Sequence, residues 1–307
     1  MKRFLVVGDA NVDLIVSGLP TLPVLGQELL CDDFRMVLGG SSANCASWLT
    51  ALGAQVDFWG KVGCDPFGEF TIRELDRRGI GVDGMIEDPD IRTGVCVSLS
   101  YPDDRALITF LGSISALRLD DIDLDLLGNY DHLHSASIFL QHGLRSGLSE
   151  LFRAAKEAGL STSLDSGWDP EERWVLDIQN LLKVVDIFMP SDVEVRHLTG
   201  ASSIEDGVAA LAQHGSLVVA KLGKDGAMAR MGEERWHVPA FEVDVVDTTG
   251  AGDGFNAGFL LARVGKEATV PDALHFANAC GAIAVTTFGG SSIPNADEVR
   301  AFIDERR

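Results

Sequence analysis

No apolar run in the 307 residues approaches the ~18–20 that a membrane-spanning helix requires. The apolar start Phe4–Val7 is cut short by Gly8 and Asp9, so no signal peptide is expected and a cytoplasmic location is. Positive charge is also scarce. Lys and Arg total 25 against 46 Asp and Glu, a formal net charge of −21, and this excess repels phosphate backbones and disfavours a nucleic-acid partner. Cysteine is sparse and unpatterned: Cys31, Cys45, Cys64, Cys96 and Cys280 are odd in number and form no Cys-x-x-Cys pair. That argues against a disulfide framework and a structural zinc site. Two nucleotide signatures are missing as well. Gly60-Lys61, Gly223-Lys224 and Gly265-Lys266 are each followed by the wrong residue for a P-loop, and Gly250-x-Gly252 is followed three positions later by Phe255, which breaks a dinucleotide fingerprint.

What is present is glycine, 33 residues of 307 against an average near ~7%, with neither a collagen period nor a low-complexity tract. Excess of this kind suggests tight turns and close ligand approach. From about Tyr130 onward, strand-like runs alternate with amphipathic helical patterns, the signature of crossover units and a mainly parallel sheet. Strands are expected at His132–Ala136, Leu160–Leu164, Val184–Met189 and Leu217–Leu222. One helical face joins Leu144, Leu148, Leu151, Phe152 and Ala155, another Ile204, Val208, Leu211 and Ala212, and a third Phe276, Cys280, Ile283 and Ala284. His132 and His134 share a strand face with no third ligand nearby, which suits core histidines better than a metal site.

The first third reads differently. Strand Phe4–Gly8 is followed by Val12–Val16 and a Pro20/Pro23 loop before a helix begins near Ser42. A hairpin of Gly94–Ser100 and Ala106–Phe110, turning at Tyr101–Arg105, alternates Val95, Val97 and Leu99 with polar residues and so carries one apolar face. We expect one α/β domain over 1–307, with a small β-sheet lid formed by about 12–38 and 91–111 covering its binding face. An apolar lid face could pair two chains into a homodimer.

The most informative segment is Asp247-Thr-Thr-Gly-Ala-Gly-Asp253, which follows an extended stretch, Phe241–Val246, and opens into a helix from about Gly252. A glycine turn at a helix N-terminus aims free amides and the positive dipole end at one point, where an anion would sit. A carboxylate at that point, Asp253, is costly unless it takes a proton from a hydroxyl attacking phosphorus. The same residues alone would also serve as a plain turn and cap. The neighbouring motifs favour the chemical reading: Gly39-Gly-Ser-Ser-Ala-Asn44 is a second glycine turn entering a helix, and Gly8-Asp-Ala-Asn-Val-Asp13 ends the first strand with polar residues no turn requires. Asn11, Asp13 and Asn44 offer donors and acceptors suited to adjacent hydroxyls.

In order along nearly the whole chain, Gly8-x-x-Asn-x-Asp13, Gly39-Gly-x-x-x-Asn44, Pro190-Ser-Asp-Val-Glu194, Lys221-Leu-Gly-Lys-Asp-Gly226, Asp247–Asp253 and Phe276-Ala-Asn278 resemble the ribokinase-like carbohydrate kinases, also called the phosphofructokinase B family. The resemblance implies a three-layer α/β/α fold and an ATP-dependent kinase acting on a primary hydroxyl of a sugar or sugar derivative. A nucleoside kinase of the same fold and a catalytically silent sugar or nucleotide sensor are the alternatives. It also implies roles. Asp253 would be the base, with Gly250, Ala251 and Gly252 forming the anion hole. Asn11, Asp13, Gly39, Gly40 and Asn44 would grip the sugar, and Gln141 stands where some sugar kinases have an acidic residue near it. Lys221, Gly223 and Gly226 match the loop along the nucleotide, Asn278 a position beside the adenine, and Glu194 the organiser of Mg2+. In many relatives a K+ ion adjoins the anion hole; its ligands here would be Asp247, Thr249, Ala284, Thr287, Gly289 and Ser292. Ser191 departs from the Asn of the usual Asn-x-x-Glu pattern.

Overall fold

The computed structural model describes residues 2–101, 105–286 and 293–306. Its opening strand β1 (Arg3–Val7) leads into β2 (Asn11–Ser17), β3 (Asp33–Gly39), α1 (Ser41–Ala51), β4 (Gln55–Gly63), α2 (Pro66–Arg77), β5 (Gly81–Asp88), β6 (Val95–Ser100) and β7 (Arg105–Phe110). The second half alternates strand and helix: β8 (His132–Ser135), α3 (His142–Arg145), α4 (Leu148–Glu157), β9 (Ser161–Leu164), α5 (Ile178–Leu181), β10 (Ile187–Phe188), α6 (Asp192–Thr199), α7 (Ile204–Ala212), β11 (Leu217–Lys221), β12 (Ala227–Met231), β13 (Glu234–Val238), α8 (Ala251–Leu260), α9 (Val270–Ala284) and α10 (Ala296–Asp304).

Among the described residues these strands form two sheets. The larger has nine strands in the order β13-β12-β11-β10-β9-β8-β1-β4-β5. It is parallel from β11 to β5, while β12 and β13 are antiparallel additions at one edge. Strand alternation builds the three layers. Phe4, Val6, Leu217 and Val219 pack with α1, α8 and α9 on one face, whereas Leu5, Val7, Val218 and Ala220 pack with α4 and α7 on the other. The chain leaves β1 towards β4 on one side and returns to β8 on the other. This reversal opens a crevice at the carboxyl ends of the strands, where α/β sheets bind ligands.

The second sheet has four strands in the order β3-β2-β6-β7. It unites the two β-rich stretches of the first third, with β2 parallel to β6 and antiparallel to β3. The expected turn includes residues 102–104, which lie outside the described residues.

Several local expectations differ from the structure. The helical face Leu144–Ala155 is divided at Ser146-Gly147 into α3 and α4, though all five of its apolar residues remain buried. Phe241–Val246 is irregular rather than a strand. Its apolar side chains line a cleft instead of joining a ladder.

His132 and His134 are fully buried on β8. His132 bonds Ser161 and Ser163, each at 2.7 Å, and His134 Nδ1 bonds Ser163 Oγ at 2.8 Å. Burial holds the His134 imidazole down to about 4, against an ordinary 6.5. Its neutral form is therefore stabilised in the fold, and that contribution, roughly 3 kcal/mol, is present above pH 6.5 and lost as pH falls through 4. Buried carboxylates with raised pKa act in the opposite sense, so a variant comparison isolates the histidine. His134→Gln should lose less stability than wild type between pH 7 and pH 4 in urea titrations; parallel curves would contradict this assignment.

Candidate active site

The carboxyl ends of β1, β8, β9 and β11 converge with the N-termini of α1 and α8. Gly250, with a left-handed φ of 74°, is the N-cap of α8 and places Asp253 in its first turn. Asp253 Oδ1 accepts a hydrogen bond from Ser41 Oγ, and its Oδ2 accepts one from Asn44 Nδ2 at 3.2 Å. Ser41 and Asn44 both belong to α1, so one buried carboxylate joins the two glycine turns that the sequence places about two hundred residues apart. Burial raises the Asp253 carboxyl to about 7; Asp165 adds to the rise, while Ser41, Asn44 and Lys221 restrain it. A group at that value exchanges a proton readily near neutrality.

Not all amides of the turn expected to receive an anion are free. Ala251 N already donates to Thr248 O at 3.3 Å, which occupies one of the three amides. Gly252 N and Asp253 N lie in the first turn, with no helical residue four positions back to bond them.

On the facing side, Asn11 Nδ2 donates to Asp13 Oδ1 at 2.7 Å. Burial and the charge of Asp9 raise Asp13 to about 6, with Asn11 and Arg105 opposing. Gly39 lies directly against this carboxylate: a Cβ there would stand 2.1 Å from Asp13 Oδ1. Gly40 is the N-cap of α1, and Asp9 accepts from Ser41 N at 2.9 Å and Ser42 N at 3.0 Å. Asp9 thus anchors the turn that delivers Ser41.

Gln141 is 1% exposed; its Nε2 donates to Ala136 O and lies against Gly8. Lys221 closes β11, and its ammonium is buried beneath the α8 turn, bonded to Asp165, which also accepts from Asn256 Nδ2. Burial alone would lower the Lys221 pKa, but Asp165 and Glu194 outweigh it and hold the cation above its ordinary value. The same pairing overcomes burial at Asp165 and keeps that carboxyl low.

Lys221, Gly223, Gly226 and Asn278 do line one cleft, of about 500 Å³, together with Phe241 and Phe255. Gly226 has a structural reason to be glycine: at φ 90°, a Cβ would lie 2.1 Å from Val238 O. Asn278 Nδ2 donates to Val238 O and Pro239 O, both at 3.0 Å, and so pins that wall.

Glu194 Oε2 accepts from Ser191 N at 2.9 Å and Ser166 Oγ at 3.0 Å, while Ser191 Oγ accepts from Glu194 N at 3.3 Å. Ser191 and Glu194 thus form a reciprocal capping box at the N-terminus of α6. Among the described residues no cluster of three or more His, Cys, Asp or Glu could hold an ion, and Mg2+ carried on nucleotide phosphates needs only one or two carboxylates.

Of the expected K+ ligands, Thr287, Gly289 and Ser292 lie outside the described residues. The two stretches do meet: Val246 N and Asp247 N donate to Val285 O, next to Ala284, at 2.8 and 3.2 Å. Asp247 Oδ1 accepts from Thr249 N at 2.9 Å and Thr249 Oγ1 at 2.7 Å.

Sequence reasoning missed Ser41, Asp9, Asp165, Asn256 and Arg105. A signal existed for Asp165, the first residue after the expected strand Leu160–Leu164 and so at a carboxyl end. Arg105 carried none.

The pfkB family carbohydrate kinase profile matches residues 1–297. An ATP-dependent ribose-1-phosphate kinase from Halopiger xanaduensis is 32% identical over 311 residues, covering 100% of this chain and 99% of that protein. A candidate ribokinase II from E. coli in complex with ATP and Mg2+ superposes with TM-score 0.87 at 26% identity, covering 99% of this chain and all of that one. A fructokinase double mutant from Vibrio cholerae O395, bound to fructose, ADP and potassium, superposes with TM-score 0.82 at 29% identity, covering 99% and 98%.

Holding the Asp253 carboxylate in a buried site carries a cost above neutrality. With the folded value raised from 3.8 to about 7, the fold favours the protonated acid, and that stability is lost as pH rises through 7. Asp253→Asn keeps the shape without the charge. It should therefore gain stability over wild type at pH 8, by up to about 4 kcal/mol, and gain nothing at pH 4. Equal differences at both pH values in chemical denaturation would show that the carboxylate is not destabilised by burial.

Proposed function

The chain belongs to the pfkB family of carbohydrate kinases, and on that premise we propose that it transfers the γ-phosphoryl group of ATP to a primary hydroxyl of an uncharged sugar, with Asp253 as general base. The observation that carries this reading is the Asp253 carboxylate itself, near neutrality in pKa and shared between the α8 turn and Ser41 and Asn44 of α1.

An acceptor sugar held by Asn11, Asp13 and Asn44 would present its hydroxyl to Asp253, which takes the proton as the oxygen attacks phosphorus in line. The first-turn amides of α8 stabilise charge developing on the transferred group. Lys221, held by Asp165 and Asn256 under that turn, adds a fixed positive charge without leaving its ion pair. ATP would occupy the cleft along Gly223, Gly226 and Asn278. Mg2+ arriving with ATP would be neighboured by the oxygen donors Glu194 and Asp165 and supplies neutralisation of the phosphate charge. A K+ ion between the Asp247–Thr249 and Ala284 stretches would help order the turn. The small sheet acts as a lid that excludes water, which would otherwise compete as acceptor.

The charge of the cleft favours an uncharged sugar over a phosphorylated one. Strand alternation puts Asp13, Arg35 and Arg105 on the cleft face of the small sheet, and both arginines pair with carboxylates, Asp33 and Asp247. A dianionic phosphate would instead meet Asp13 and Asp253. Sugar-dependent ADP formation should be seen with free hexoses or pentoses and be far weaker with ribose 1-phosphate. Asp253→Asn should lower kcat by about 10²–10⁴, and wild-type kcat/KM should rise with pH through about 7. Near-wild-type turnover in Asp253→Asn would remove the general base from this account.

The opposite face of the small sheet supports a dimer. Register places Phe34, Met36, Ile108 and Phe110 there with Leu14, Val16, Val97 and Leu99 and no charged side chain, and the first four are 58%, 42%, 62% and 52% exposed. An uncharged apolar face on a chain of net charge −21 is matched best by a second copy of itself about a two-fold axis. Sedimentation should give a dimer for wild type and a monomer for the pair Phe34→Asp and Ile108→Asp. A wild-type monomer at micromolar concentration would exclude this interface.

A further inference from the structure

Arg105 opens β7, an edge strand of the small sheet, and faces Ser100 across the ladder with β6. Its Nη1 reaches across to the Asp247–Gly250 segment of the main body, donating to Thr249 Oγ1 at 2.7 Å, Thr248 Oγ1 at 3.1 Å and Asp247 Oδ1 at 3.4 Å. Those acceptors are themselves knitted together. Thr249 donates to Asp247 through both its amide and its hydroxyl, and the backbone of 246–247 hangs on Val285 O. Thr249 is followed directly by Gly250, the left-handed cap from which the α8 amides project. One guanidinium therefore holds the shoulder of the anion turn from the lid side. Its charge also reaches Asp13, the carboxylate assigned to the acceptor, and opposes the rise in that group's pKa.

We infer that Arg105 is a positioning residue for phosphoryl transfer, a latch that orders the Asp247–Gly252 turn when the small sheet sits over the cleft. The inference rests on the sugar-kinase reading. Its chemical content is a coupling. The turn and the small sheet share a charge-assisted set of hydrogen bonds, so the turn is best ordered in the closed arrangement and less ordered when the sheet swings away. Acceptor binding, which holds the sheet down through Asn11 and Asp13, would in this way complete the phosphoryl site, and ATP bound alone would meet an incomplete one. That arrangement limits transfer to water.

The test compares Arg105→Ala and Arg105→Lys with wild type by hydrogen exchange and by kinetics. Exchange needs no turnover, so it reads the latch even if no sugar supports ADP formation; absence of sugar-dependent ADP formation in wild type would sink the kinase reading alone. In Arg105→Ala the amides of Val246, Asp247, Thr249 and Ala251 should exchange at least about tenfold faster, while those of β8 and β9 stay as in wild type and report an intact fold. Loss of one charge-assisted hydrogen-bond set corresponds to roughly 10–100-fold in rate, so kcat should fall by that factor with a much smaller change in KM for ATP. Arg105→Lys, whose ammonium can still donate to several of these oxygens, should lie between the two in exchange and in kcat. Unchanged turn exchange and kcat in Arg105→Ala would overturn the inference, as would a rise in exchange spread equally over β8 and β9.

Discussion

The structure depends on a carboxylate that is expensive to bury. Asp253 sits where two helix N-termini meet, and its hydrogen bonds from Ser41 and Asn44 link α8 to α1 across the mouth of the crevice. Burial drives its pKa to about 7, a value at which the group is costly as an anion and able to take up a proton near neutral pH. Everything around it can be read as a means of keeping that compromise. The helix dipoles lower the cost of negative charge there, Asp9 clamps the α1 turn through Ser41 N and Ser42 N, and Lys221 supplies a cation beneath without leaving Asp165.

The same crevice gathers Asp9, Asp13, Asp165 and Asp253 in a chain already at −21. Like charges at such proximity would not all remain ionised, and the fold separates their fates. Asp165 is held low by Lys221, whereas Asp9, Asp13 and Asp253 are raised, chiefly by burial. Pushing titratable groups apart in this way gives each a separate job. Asp165 becomes a fixed counter-charge, and Asp253 a carboxyl able to exchange a proton near neutrality. Asp13, at about 6, accepts hydrogen bonds near neutral pH.

Legibility in the sequence followed local residue pattern more than burial. β1, β10 and β11 read as short apolar runs bounded by polar residues, and β8 and β9 are placed by the alternation of strand-like and helical segments around them. β4, buried between β1 and β5, is not read as a strand. β5, with Gly81, Asp83 and Gly84, and β13, with Glu234 and Arg235, lie at the two edges of the large sheet and carry no such pattern. Phe241–Val246 had the composition of a strand but became a cleft wall, because its apolar side chains pack beside α9 and not in a ladder.

The sequence by itself determined the layered architecture, the two glycine turns and the presence of a carboxylate in the first turn of α8, since each is encoded by periods of two or 3.6 residues or by adjacent residue types. Only the tertiary structure decided what that carboxylate touches. Ser41 lies 212 residues from Asp253, Lys221 56 from Asp165, and Arg105 144 from Thr249. No local pattern spans such distances: these contacts exist because parallel crossovers bring every strand's carboxyl end to one rim, and because the small sheet folds back over it.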